Sequence, residues 1–187
     1  IVAERDVNTA YTPRRCGPGK LLILDSTWRL TMDNIPIIIK RRLQAEVIGP
    51  VFDEMSAQLG QQKAEDILRV AIQNAAIAEG QHFATTHNSP DQSPLRNFID
   101  LFEQWKAGGA LEVDVLYESD DQFDFNVTRC RYAEMYKDMD LGNIGHLLSC
   151  HRDGTFCQGF DDRITLQRDQ TIMSGASCCT FRYRCET

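Results

Sequence analysis

The sequence predicts an α+β protein, with N-terminal helices packed on a mainly antiparallel sheet that carries short inserted helices. Two patterns lead to this. Through the first half, apolar residues recur at three- and four-residue spacing, as on one face of a helix. From Leu111 onward they alternate with polar residues, as in half-buried strands. The third observation is bulk: 187 residues, 42% of them hydrophobic, suffice for one domain with a real core. No internal repeat, low-complexity segment or linker between two cores interrupts the chain.

Residues 1–33 read as an irregular N-terminal arm, broken by Pro13 and Gly17-Pro18-Gly19. Its apolar run Leu21-Leu22-Ile23-Leu24 suits docking on the body or on a neighbouring subunit. Residues 34–187 then form a single domain, helical over 34–109 and built of sheet and cysteine motifs over 110–187. Asn34 before Ile35-Pro36 is a good helix start, because Asn caps free N–H groups and Pro is tolerated in the first turn. That helix runs toward Leu59-Gly60, with a kink or break expected at Gly49-Pro50. A second helix spans about 62–83, where Ala64, Ile67, Leu68, Ala71, Ile72 and Ala75 make a stripe suited to close packing. After a loop at 87–94, a third carries Leu95, Phe98, Ile99, Phe102 and Trp105 on one face and stops at Gly108-Gly109.

Leu111, Val113, Val115 and Tyr117 then alternate with polar neighbours, and so do Phe123, Phe125 and Val127; residues 119–122 join the two strands as a hairpin. At Cys130 the period changes to that of a helix, with Tyr132, Met135, Tyr136 and Met139 on one face. A further helix is expected over 142–150, and two strands near 163–173 and 178–184, joined through 174–177. In the last strand Cys179, Phe181 and Tyr183 share one face, and Cys178, Thr180, Arg182 and Arg184 the other.

A net charge of −7 argues against a general nucleic-acid or membrane-surface binder, which would present a basic field. No apolar run reaches the length of a membrane span. The start Ile1-Val2-Ala3-Glu4-Arg5-Asp6 lacks the form of a signal peptide. Seven cysteines, an odd count without regular disulfide spacing, fit a reduced cytoplasmic protein. Cys150, His151, Cys157, Cys178 and Cys179 are soft enough ligands for zinc, but no Cys-x-x-Cys pair occurs and no metal site is expected. With no phosphate loop and no Gly-x-Ser-x-Gly elbow, nucleotide hydrolysis and the common serine-hydrolase scaffold are disfavoured, and no cofactor is expected.

Cys130 draws attention first. At a helix start, unpaired N–H groups and the helix dipole favour the thiolate, the reactive form of cysteine; the alternative is a small buried hydrophobe. The stretch Asn126-Val127-Thr128-Arg129-Cys130-Arg131-Tyr132-Ala133-Glu134 is followed by Cys150-His151-Arg152-Asp153, Gly159-Phe160, Arg168-Asp169-Gln170-Thr171 and Gly175-Ala176-Ser177-Cys178-Cys179-Thr180-Phe181. This succession resembles the L-2-amino-thiazoline-4-carboxylic acid hydrolase family, whose pattern runs Cys-x-Tyr-Ala-Glu, Cys-x-x-Asp, Gly-Phe, Arg-x-x-Thr and Gly-x-x-x-Cys-x-Phe. The match covers about residues 111–184. Thr180 departs from the Asp common at that position, which weakens an acid–base role there.

The resemblance implies ring-opening hydrolysis of a small cyclic amidine or amide, with 2-amino-thiazoline-4-carboxylate as the namesake substrate and N-carbamoyl-cysteine as its product. It places Cys130, Asp153 and Cys179 in the catalytic group, with Cys130 the preferred nucleophile and Cys179 a second thiol. His151, beside Asp153 and able to titrate near neutrality, joins them as an acid–base partner. Arg168, Thr171, Tyr132, Glu134 and Asn126 are the expected substrate-binding residues, with Arg168 first among the arginines as a carboxylate clamp. Three other readings stay open: water directed straight at the ring carbon by Asp153, a non-catalytic small-molecule or redox sensor with reactive cysteines, and a zinc-dependent hydrolase. A homo-oligomer is expected from the apolar arm and helices.

Overall fold

The computed structural model describes residues 35–186. The N-terminal arm, Cys16 and the Asn34 helix start lie outside the described residues. Among the described residues three helices come first: α1 (Ile37–Leu59), α2 (Gln61–His87) and α3 (Pro94–Lys106). The hairpin β1 (Leu111–Glu118) and β2 (Gln122–Cys130) follows, then α4 (Arg131–Asp138). A π-helical turn at His146–Cys150 leads directly into α5 (His151–Phe160), and β3 (Ile164–Gln167), a 3-10 turn at Ile172–Ser174 and β4 (Cys179–Cys185) complete the chain. The sheet is antiparallel throughout, in the order β1-β2-β4-β3. The α+β architecture expected from periodicity is the one observed.

Several boundaries move. Helix α1 is continuous through Gly49-Pro50 rather than broken there. Its buried residues Ile37, Arg41, Ala45, Gly49 and Phe52 stand three or four apart, and a single packed face holds the helix together across the proline. Gly49 fits closely: a Cβ there would lie 3.1 Å from Leu141 Cδ2. Residues 151–160, given no element by the periodicity, form α5. The expected strand over 163–173 is only Ile164–Gln167, because the chain then leaves the sheet and Thr171 caps a 3-10 turn, its hydroxyl accepting from Ser174 N at 3.1 Å.

Two hydrophobic clusters form. In one, Leu95, Phe98 and Phe102 of α3 and Phe156 and Phe160 of α5 cover the sheet. Across β2 and β4 the inward side chains pair as Phe123 with Tyr183, Phe125 with Phe181 and Val127 with Cys179. The Phe125 and Phe181 rings stack at 4.8 Å, and such contacts add to what their buried area contributes. The other cluster joins α1, α2, α4 and the segment carrying Ile144, Leu147 and Leu148. Trp105, Leu111 and Cys130 pack against both, so Cys130 sits where the two cores meet.

Helices α2 and α5 cross with their backbones in contact. A Cβ on Gly80 would lie 2.3 Å from the Phe156 carbonyl oxygen, and one on Gly159 would lie 2.0 Å from that of Ile77. A backbone carbonyl inside two helices cannot swing aside. The Gly-Phe element of the sequence is thus a packing requirement, with Phe160 buried beside the crossing. Gly154, in the same helix, has open space where a Cβ would stand. Urea denaturation is expected to separate the two: Gly159→Ala should lose about 3 kcal/mol, the upper end for overpacking. Gly154→Ala should gain up to about 1 kcal/mol from helix propensity. Equal effects at the two positions would refute the close crossing.

Candidate functional site

A cavity of about 70 Å³ opens at the meeting point of the two cores. Six of the lining residues are aromatic: Phe98, Phe102, Trp105, Phe156, Phe181 and Tyr183. The charged side chains Arg41, Glu79, Arg152, Asp153 and Arg168 stand among them. Cys130, Cys150, Cys179 and Tyr132 also line it.

The local structure explains these positions. Cys130 is the last residue of β2 and the residue before the first turn of α4, with extended backbone (φ −127°, ψ 102°). Cys179 opens β4, paired with Val127 near the same end of the ladder, and its Sγ accepts from the Ile172 N–H at 3.2 Å. Asp153 lies in the first turn of α5. Its carboxylate accepts from Arg168 Nη1, and Arg168 Nη2 donates to the Cys150 carbonyl at 2.9 Å. The Arg168 guanidinium also stands 5.0 Å from the centroid of the Phe181 ring. Tyr132 donates its hydroxyl to the Trp105 carbonyl at 3.2 Å.

Of the residues expected from sequence, Cys130, Cys179, Asp153, Arg168 and Tyr132 come together around this cavity. The other four do not. His151 is exposed, with its ring facing His146 at 5.9 Å, because successive helical residues point about 100° apart and Arg152 and Asp153 take the inward directions. Glu134 is exposed and held by Arg129 through contacts of 2.8 and 3.2 Å. Asn126 alternates with inward Val127 along β2, and its Oδ1 accepts from Arg182 Nη2 at 3.1 Å. Thr171 is buried but spends its hydroxyl on the Ser174 turn. Arg168, expected to clamp a substrate carboxylate, already gives both Nη groups to Asp153 and Cys150.

The sequence reading missed Glu79 and Arg41. Glu79 Oε2 accepts from Arg41 Nη2 and from Arg152 Nη2, each at 2.6 Å, which ties α2 to both α1 and α5. The signal was present: Arg41 interrupts the apolar row Ile37, Ala45, Gly49, Phe52, and Glu79 follows Ile72 and Ala76 on the buried side of α2. A charge on an apolar stripe marks a buried pair.

Burial decides the electrostatics of the thiols. Desolvation pushes Cys130 up to about 11, against the pull of the Ala133 and Tyr132 N–H groups, and nearby Cys179 adds to the rise. Cys150 is pushed up to about 12 by burial and by Asp153, and Cys179 also moves upward through burial. The helix start expected to favour a Cys130 thiolate is therefore outweighed. Burial likewise raises the Asp153 carboxyl, opposed by Arg168 and then by Arg152 and Arg41. For Glu79 the balance reverses: burial raises it, but Arg41 and Arg152 together hold it below its ordinary 4.5.

These shifts have consequences for pH. Because Glu79 is depressed in the folded state, its stabilisation is fully present above pH 4.5 and disappears as pH falls through the lower folded value. Glu79→Gln leaves Arg41 and Arg152 facing each other and should cost about 3 kcal/mol at neutral pH. The variant should also lack that part of the wild-type acid dependence; thermal denaturation at several pH values measures both effects. For Cys130 the check is alkylation by iodoacetamide, followed by peptide mass mapping. Its rate should rise about tenfold per pH unit from about pH 7 to about pH 10 without levelling, since the thiolate alone reacts. Levelling near neutrality would show that the helix start wins over burial.

Among the described residues, no group of three or more His, Cys, Asp or Glu side chains is arranged to hold a metal ion, and no helix is long and apolar enough to cross a membrane. No protein of curated function matches the sequence. Among solved structures, the chain is similar to the phenol-responsive sensory domain of the transcription activator PoxR with phenol, at 10% identity and a TM-score of 0.48, covering 74% of this chain and 73% of that one. It is also similar to the Fe(II) unliganded H-NOX protein mutant A71G from K. algicida, at 9% identity and a TM-score of 0.36, covering 85% and 92%. The sequence pattern of L-2-amino-thiazoline-4-carboxylic acid hydrolase matches residues 40–183, which reaches from within α1 to within β4. The chain belongs to the L-2-amino-thiazoline-4-carboxylic acid hydrolase family.

Proposed function

We propose that this protein opens the ring of a small cyclic amidine or amide by hydrolysis, with 2-amino-thiazoline-4-carboxylate as the reference substrate and Cys130 as nucleophile. The observation that carries the reading is the convergence of Cys130 and the Arg168-held Asp153 on one largely buried cavity. With its thiol near 11, Cys130 has about one part in ten thousand as thiolate at neutral pH. Attack therefore requires a base. Asp153 fits that part, because burial raises its carboxyl and brings its proton affinity closer to that of the thiol it must serve.

On the reference substrate the steps balance as follows. Cys130 Sγ bonds to the amidine carbon while its proton passes to Asp153. The ring carbon–sulfur bond breaks, and the departing sulfur takes that proton. Water then adds to the same carbon, one of its protons passing to the amidine nitrogen and the other to Cys130 as it leaves as a thiol, and the carbon keeps the water oxygen as the carbonyl of N-carbamoyl-cysteine. Arg168 holds the Asp153 carboxylate in place through this cycle, and Cys179 lines the pocket as a second thiol. His151 has no part, since it lies outside the cavity.

Release of free thiol from L-2-amino-thiazoline-4-carboxylate by metal-stripped protein tests the reading. Wild type should turn over, Cys130→Ala should fall below detection, and Asp153→Asn should lose about 10²- to 10⁴-fold, the usual worth of a general base. Turnover retained in Cys130→Ala but lost in Asp153→Asn would replace the thiol route with direct attack by water. No turnover by folded wild type would sink the reaction and favour a sensor that binds without converting.

A further inference from the structure

Three guanidinium groups, of Arg41, Arg152 and Arg168, face this cavity against two carboxylates, of Glu79 and Asp153, and the thiols beside them are neutral. Among the described residues the lining is therefore short of one negative charge. The donors are unequally committed. Arg168 gives its Nη groups to Asp153 and the Cys150 carbonyl. Arg41 gives its own to Gln44 and Glu79. Arg152 gives Nη2 to Glu79, but among the described residues its Nη1 makes no hydrogen bond and its buried Nε–H has no acceptor. A buried donor of a charged group left unpaired is costly, and an acceptor from a ligand relieves it. Arg152 is only 8% exposed, so this is a built feature of the wall and not a surface arginine.

The aromatic part of the lining asks for something the reference substrate hardly provides. Trp105 and Phe156 meet edge to face at 5.1 Å, and Phe98, Phe102, Phe181 and Tyr183 continue the apolar lining. Such a surface gains most from a flat apolar group. Building on the reading that this cavity is the substrate site, we infer that its ligand is an amphipathic monoanion: a carboxylate received by Arg152, joined to an aromatic or comparably flat apolar group that lies along Trp105 and Phe156. The substrate class is then a ring-bearing carboxylic acid more apolar than 2-amino-thiazoline-4-carboxylate.

Fluorescence titration tests this with simple probes. Trp28→Phe leaves Trp105 as the sole tryptophan of the two in the chain, so quenching reports on the cavity wall. Benzoate should quench saturably. Benzamide, which keeps the ring without the charge, and acetate, which keeps the charge without the ring, should each bind about 10- to 100-fold more weakly. Arg152→Met should bring benzoate down to the affinity of benzamide and leave benzamide unchanged. Arg152→Lys keeps a cation beside Glu79 for folding but loses the planar fork, so it too should weaken benzoate selectively. Equal binding of benzoate and benzamide by wild type, or no saturable binding of any probe, overturns the proposal. Benzoate selectivity surviving in both Arg152 variants overturns the residue assignment. Cys130→Ala separates this result from the hydrolase reading. If wild type fails to turn over while both proteins bind benzoate selectively, the ligand class stands without the chemistry. If wild type turns over without that selectivity, the chemistry stands without the ligand class.

Discussion

Helices α2 and α5 meet at Gly80 and Gly159 so closely that the backbone of each fills the space where a side chain of the other would begin. The placement of the site depends on this crossing. Glu79 precedes Gly80, and the approach that Gly80 permits brings its carboxylate within reach of Arg152 on α5 and of Arg41 on α1. Cys150, Arg152, Asp153 and Phe156, which furnish much of the cavity wall, all belong to α5 or the turn that enters it. Move α5 outward by the width of a methyl group, and the ion pairs would lengthen along with the packing. Steric fit and electrostatics are here one constraint seen from two sides.

The sheet contributes the other half. Alternation along β2 and β4 sends Val127 and Cys179 inward at one end of the ladder, and Cys130 then turns the chain into α4. Two thiols from distant parts of the sequence reach one cavity because antiparallel pairing places strand ends side by side. What surrounds them is mostly hydrocarbon. Desolvation consequently outweighs the favourable N–H groups at the helix start, and the thiols stay protonated at neutral pH.

Much of this was legible in the sequence, and the exceptions have physical reasons. The hairpin, the face assignment of the last strand and the β-to-α change at Cys130 follow from periodicity, which survives whenever one face is buried and the other is wet. Helix α5 was hidden because His151-Arg152-Asp153-Gly154-Thr155 is polar and contains a glycine; it is helical through its packing on α2 and not through propensity. Strand β3 was overextended because Thr171, Ile172 and Met173 favour strands locally while the chain needs a turn there. For the site, motif positions identified Cys130, Asp153, Cys179, Arg168 and Tyr132 as neighbours of the cavity. Glu134 and Asn126 share the same motif stretch but point elsewhere, since a linear motif does not say which way a side chain faces. Arg41 and Glu79 come from helices outside the motifs, and only their position on apolar stripes marks them.

The same burial that slows the thiols also protects them. Peroxides and disulfides react with thiolates, so oxidation follows the ionised fraction and access. Cys130, Cys150 and Cys179 line one small cavity, and each is held in its protonated form by its surroundings. Exposed low-pKa cysteines gathered as closely would be prone to sulfenic acid formation and cross-linking. Here each thiol is kept quiet toward small oxidants, and durability in an oxidising episode comes from the same desolvation that holds it protonated.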